Sequence, residues 1–120
     1  VAFRLRSQLE RAGGAADINR TRICGGGAKS PLWRRIVANV LGVPVETVAT
    51  EKGPAYGAAL LAMTGAGEYP DVKTACEACV RVSGVTEPES ELIKTYDKLY
   101  AVYDSIYPAM KKIFREMRGI

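Results

Sequence analysis

Apolar positions recur three and four residues apart in several separate stretches of this chain, and they alternate with polar ones in others. Ala2, Leu5, Leu9 and Ala12 share one face, with arginines and Glu10 opposite, so the chain opens in an amphipathic helix that Gly13 and Gly14 stop. Arg20–Cys24 alternates loosely and carries β-branched residues, which predicts a strand ending in three glycines. Ser30 followed by Pro31 starts a second helix. The hydroxyl can accept from a free backbone N–H, and proline at the first helical position forfeits no bond. Trp33, Ile36, Val37, Val40 and Leu41 mark its buried face, Gly42 closes it and Pro44 prevents its resumption. Val45–Val48 reads as a second strand.

Glu51-Lys52-Gly53-Pro54 is a turn, and Pro54 opens a third helix to about Thr64. Ala55, Ala58, Ala59, Ala62 and Ala66 form a small-residue stripe beside Tyr56, Leu60 and Met63. A helix with no polar face is expected to be buried between other elements, in the middle of a bigger protein. Asp71 can cap a short helix through Val80. Val72, Ala75, Cys76, Cys79 and Val80 share a face of it, so its two thiols read as small packing residues rather than a redox or zinc pair. Thr86-x-x-Glu89 has the spacing of a capping box ahead of a long final helix. There Leu92, Tyr96, Leu99, Tyr103, Ile106, Met110, Ile113 and Met117 form a heptad-like seam. Pro108 predicts a kink or break one turn earlier.

Composition narrows the class. The chain has 120 residues, 48% hydrophobic and 25% charged, the balance of one ordinary domain. No stretch approaches the roughly 20 apolar residues that cross a bilayer. The charged start is no secretion signal, and three cysteines with no histidine fit a reducing, cytoplasmic setting. The first residue is not Met and already lies inside a helical pattern, which favours a piece of something longer. A net charge of +4 is mild and scattered, from Arg34 and Arg35 to Lys111, Lys112, Arg115 and Arg118, without the clustered basic and aromatic patch of a nucleic-acid surface.

The candidate chemistry lies after the first strand. Strand, glycine turn, capped helix, strand, turn and helix form two βα units, which favour an α/β fold with a parallel sheet. Ligands gather beyond the carboxyl ends of such strands. Gly25, Gly26 and Gly27 lie at one such end, where missing Cβ atoms let a ligand approach the backbone amides. The helix beginning near Ser30 aims its partial positive charge at the same place. This is neither a Walker A loop nor GxGxxG. Taken alone, GGGAKSP serves an anion site or a tight strand-to-helix crossover equally well.

Two motifs carry a wider likeness: GGGAKSPLW at 25–33 and EKGPAYGAALLA at 51–62. With Val85–Pro88 and the tyrosine-rich last helix through Ile106-Tyr107-Pro108, they resemble the C-terminal domain of the FGGY carbohydrate kinases, xylulose kinases above all, over nearly the whole chain. The resemblance implies part of an actin-like ATPase (ribonuclease H-like) domain, a helix-rich fragment with two or three strands. It implies a βα nucleotide-side core over 1–70 and a helical tail over 71–120. It also implies ATP and Mg2+ as cofactors of the parent enzyme, which transfers the γ-phosphate to a sugar hydroxyl, that of D-xylulose in the first instance. Backbone contacts from Gly25, Gly26, Gly27 and Ala28 to phosphates and ribose follow from it, as does a position near the adenosine for Lys29, Ser30 and Pro31.

In that family the sugar sits mainly on the N-terminal domain, which also brings the catalytic aspartate. Asp17, Asp71, Asp97 and Asp104 match no such motif, so no catalytic residue is expected here and the chain alone is expected to be inactive. Gly57 and the alanines take a structural role; Tyr56 and Lys52 either border the site or, as the favoured reading, serve core packing and a solvated turn. Two other readings stand beside the kinase: a non-catalytic actin-like nucleotide-binding module, and an interaction module acting through the final helix. Bare sheet edges and apolar faces further predict a homo-oligomer.

Overall fold

The computed structural model describes residues 1–13, 18–49 and 53–119. The elements are α1 (Ala2–Arg11), β1 (Thr21–Ile23), a 3-10 turn (Gly26–Lys29), α2 (Pro31–Leu41) and β2 (Val45–Val48). They are followed by α3 (Gly53–Gly65), α4 (Val72–Cys79), β3 (Val82–Thr86) and α5 (Ser90–Met117). The expectations placed on Gly14, Asp17, Glu51 and Lys52 lie outside the described residues.

The sheet has the order β1-β2-β3. The two expected strands pair in parallel, Thr21 opposite Val45 and Ile23 opposite Thr47. The third strand, β3, breaks the all-parallel expectation: it runs antiparallel to β2, with Val45 opposite Thr86 and a bulge at Thr47/Val48. Val82-Ser83-Gly84 carries too little alternation to announce a strand, and its residues stay mostly exposed.

Helix α2 is the hub. Ser30 Oγ accepts from the Trp33 amide at 3.2 Å, Pro31 takes the first position and Gly42 closes the helix at φ +69°, as its sequence requires. Val37 and Ala38 pack on fully buried Val45, with Ile23, Trp33 and Leu41 around them. Strand alternation sends Glu46 to the other face of β2. There it is only 7% exposed and binds Arg22 Nε at 2.8 Å and Arg20 Nη1 at 3.3 Å.

Asn39 ties α2 to the final helix. Buried in the core, it donates to the Arg35 carbonyl at 2.8 Å and accepts the Glu89 amide at 2.6 Å. The Glu89 carboxylate forks onto Arg35, with a second contact of 2.9 Å. This arrangement replaces the capping box: Thr86 is spent on β3, and Glu89 itself precedes the first helical residue. Helix α5 then runs unbroken through Pro108, which excludes a break there.

Helix α1 lies against α2 and α5. Of the expected stripe Ala2 is buried and Leu9 half-buried, while Leu5 and Ala12 are exposed; Ser7 and Phe3 complete the inward side. Phe3 sits among Tyr96, Tyr100 and Tyr103, with ring centroids 5.4–6.1 Å away. An aromatic ring buries more area there than Leu5 could, and that outweighs the spacing of the aliphatic residues. Arg6 Nη1 reaches Asp97 at 2.6 Å, and its guanidinium lies 4.3 Å from the Tyr100 centroid.

Helix α3 is largely uncovered within this chain. Only Leu60 of that helix is buried, whereas Leu61 is 60% exposed and the alanine stripe faces outward. Its sequence calls for neighbours on every side, and among the described residues only α4 supplies a packed helix. Tyr56 makes that contact, donating its hydroxyl to the Cys79 carbonyl at 2.8 Å.

Candidate functional site

The glycine turn begins where β1 ends. Gly25 has φ +82° and ψ −170°, a region closed to residues with a side chain. That conformation swings the chain out of the strand and into the 3-10 turn. Ala28 N–H donates to the Gly25 carbonyl at 3.0 Å and Ser30 N–H to that of Gly27 at 3.2 Å. The amides of Gly26 and Gly27 precede the first bond of this ladder.

In front of the turn is an open cleft of about 460 Å³. Gly25, Gly26, Ala28 and Lys29 form one wall; Thr47, Val48 and Ser83 form the other. A Cβ atom added at Gly25 or Gly26 would meet nothing within 4 Å, so that space is open to a ligand. Ser83 Oγ donates to Thr47 Oγ1 at 3.3 Å, and Thr47 Oγ1 donates to the Gly84 carbonyl at 3.2 Å, which makes a hydroxyl-lined far wall.

The seven residues singled out from the sequence divide into two groups. Gly25, Gly26, Ala28 and Lys29 line the cleft. Gly27 instead backs onto Trp33, Ser30 spends its hydroxyl on the helix cap, and Pro31 occupies the first helical position. These last three shape the turn rather than the wall.

Arg34, Thr47 and Ser83 are among the cleft residues that reading the sequence missed. Arg34 carried a signal. Long side chains on a helix point back toward its N-terminus, so an arginine in the first full turn of α2 can reach the loop before it. Its Nη1 binds the Ala28 carbonyl at 2.5 Å. Ser83 carried none, because β3 itself was not recognised.

Two cationic residues and the N-terminus of α2 meet at the cleft. Lys29 and Arg34 line it and no carboxylate does so among the described residues. The N-terminus of α2 adds roughly 0.3–1 kcal/mol toward a nearby negative charge at an exposed site. Among the described residues no group of three or more His, Cys, Asp or Glu could hold a metal ion. Cys24 is exposed at the cleft rim, while Cys76 and Cys79 are half-buried in α4.

A second cavity, of about 220 Å³, lies between α1, α2 and α5. Its charged groups are already paired with one another: Arg6 with Glu10 and Asp97. Tyr100 and Arg6 hold the Glu10 carboxyl below its ordinary value through hydrogen bonds.

The family model for the FGGY family of carbohydrate kinases, C-terminal domain, matches residues 1–66. Xylulose kinase of Staphylococcus epidermidis (strain ATCC 35984) is 34% identical over 112 residues, covering 93% of this chain and 22% of that protein. Ribulokinase of Mycolicibacterium smegmatis is 39% identical over 108 residues, covering 81% of this chain and 18% of that protein. Among solved structures, a xyloylose kinase from Brucella ovis superposes with a TM-score of 0.77 at 32% identity, over 93% of this chain and 24% of that one. The chain thus spans about a fifth of the length of the curated relatives it matches.

Proposed function

From the premise that this chain belongs to the FGGY family of carbohydrate kinases and forms part of its actin-like fold, we propose that it is the nucleotide-binding C-terminal portion of an ATP-dependent sugar kinase. The observation that carries this reading is the glycine turn, whose Gly25 and Gly26 face open space in a cleft that Lys29 and Arg34 also line. Gly25, Gly26 and Ala28 present main chain to the phosphates and ribose of ATP or ADP. Lys29 stands beside them, while Ser30 and Pro31 fix the helix start toward the adenosine. Gly27 keeps the turn tight.

The parent enzyme transfers the γ-phosphate to a sugar hydroxyl, converting D-xylulose to D-xylulose 5-phosphate. Likeness to xylulose kinases over most of the chain supports that acceptor. The sugar itself is held mainly outside this chain. Mg2+ arrives with the nucleotide as part of the substrate, and no described residue brings a carboxylate to the cleft to hold it.

Phosphoryl transfer needs donor, acceptor and metal positioned together. The role left to this chain is therefore to bind and orient the donor, and by itself it does not turn over. No described helix is long and apolar enough to cross a membrane, and we place the enzyme in the cytoplasm.

The test is ADP release by the gene's whole product with xylulose, ribulose, glycerol and gluconate as acceptors. Turnover led by xylulose supports the assignment. Turnover with no sugar at all refutes it.

A further inference from the structure

Arg34 is a charged cleft residue to which the sugar-kinase assignment gives no role, and the inference here rests on that assignment. It stands on the first full turn of α2, four residues beyond the Ser30 cap. It folds back across six residues so that Nη1 meets the Ala28 carbonyl at 2.5 Å. That contact is a charge-assisted bond to a carbonyl on the outer side of the 3-10 turn. The Ala28 amide is already committed to Gly25, and Ser30 to Gly27. Arg34 therefore adds a side-chain tie to the backbone of the turn, through the Ala28 carbonyl.

A guanidinium has five N–H donors in a planar fork, and the Ala28 carbonyl uses one of them. The rest of the group lines the same cleft as Gly25 and Gly26. Its side chain is half-buried, which reduces the screening that makes exposed charges weak. Neither Glu46 nor Glu89 neutralises it, because they pair with Arg20, Arg22 and Arg35.

We infer that Arg34 bridges the glycine turn and the polyphosphate of the bound nucleotide, one edge of its fork on the Ala28 carbonyl and the other on a phosphate oxygen. Lysine could keep the charge but not the fork, since a single ammonium is a point donor. The bridge couples two functions in one side chain. The turn is held in its ligand-ready shape, and the nucleotide is read through its charge.

The experiment titrates the wild-type chain, R34M and R34K with MgATP at several salt concentrations, following backbone amide shifts. R34M is expected to weaken ATP by about tenfold or more, the size of a lost hydrogen bond to a charged group, and to flatten the dependence of log Kd on log salt. R34K is expected to bind less tightly than wild type while keeping a slope close to it. If R34M is too weak to titrate, R34K carries the comparison. An unchanged affinity in R34M overturns the inference. So does a weakened affinity with the wild-type salt slope, which would mark Arg34 as a strut for the turn and nothing more. A wild-type chain that does not respond to ATP at all would instead remove the nucleotide assignment, and this inference with it.

Discussion

Gly27 lies so close to Trp33 that a Cβ atom at that position would come within 3.0 Å of the indole Cδ1 and 3.1 Å of Nε1. The three glycines of the turn are therefore not equivalent. Gly25 is needed for its backbone conformation, Gly27 for its closeness to an aromatic ring, and Gly26 for neither reason. Gly26 is left with the open space in front of it.

This division predicts three different mutants. Gly25→Ala forces a strained backbone and costs about 1–3 kcal/mol of stability. Gly27→Ala pushes against Trp33, a residue packed on the core, and lowers Tm as well. Gly26→Ala leaves Tm near wild type but puts a methyl group into the cleft, weakening ATP. Thermal melts and ATP titrations of the three variants check the pattern. A Gly26→Ala variant that binds ATP like wild type would mean the ligand does not approach the turn.

Removing the Ser30 hydroxyl tests the helix start separately. Ser30→Ala loses the 3.2 Å bond from Trp33 N–H and should cost about 1 kcal/mol, the usual worth of an N-cap. Denaturant melts measure it. Since the hydroxyl is spent on the cap, ATP affinity should move much less than in Gly26→Ala.

Acid should unfold the chain through four carboxylates. Arg22 holds Glu46 below its ordinary value, and Arg35 does the same for Glu89. The Thr74 amide lowers Asp71, and Tyr100 with Arg6 lowers Glu10. Each has a folded pKa below its unfolded one, so each contributes stability that is complete above the unfolded values of about 4 to 4.5. That contribution fades as pH falls through the lower folded values. Denaturant melts should thus be flat from pH 7 to 5 and weaken steadily below about 4.5. In Glu46→Gln part of that acid slope disappears; an unchanged slope would contradict the pairing.

Exposed apolar rows predict association. Tyr107 and Phe114 stack on each other at 6.2 Å on the second half of α5, with Ile113 and Met117 exposed alongside. Light scattering should show a mass that rises with concentration, and a double change of Tyr107 and Phe114 to Glu should bring it toward monomer. A monomer at all concentrations would contradict this.

Much of the site was legible because its causes are local. Ser30, Pro31 and Gly42 bound α2 through backbone chemistry that neighbours in the sequence decide, and β2 falls at Val45–Val48 as its β-branched residues indicate. Asp71 likewise caps α4. Long-range partners were not legible. Glu89 follows Thr86 at capping-box spacing, yet Arg35, 54 residues earlier, holds its carboxylate. Pro108 does not break α5, where the first half of the helix is anchored on α1 and α2. The apolar surface of α3 was legible as chemistry, but its neighbours were not: within this chain α4 is the helix packed on it, and no periodicity says where the rest of its cover lies.

Backbone amide shifts during a titration of the isolated chain with MgATP test the central claim most directly. Saturable movement centred on Gly25–Ala28 and reaching Thr47 and Ser83 across the cleft, with half-saturation in the millimolar range or below, is the predicted result. No movement at those amides at millimolar ATP, or movement confined to the cavity between α1, α2 and α5, would contradict it.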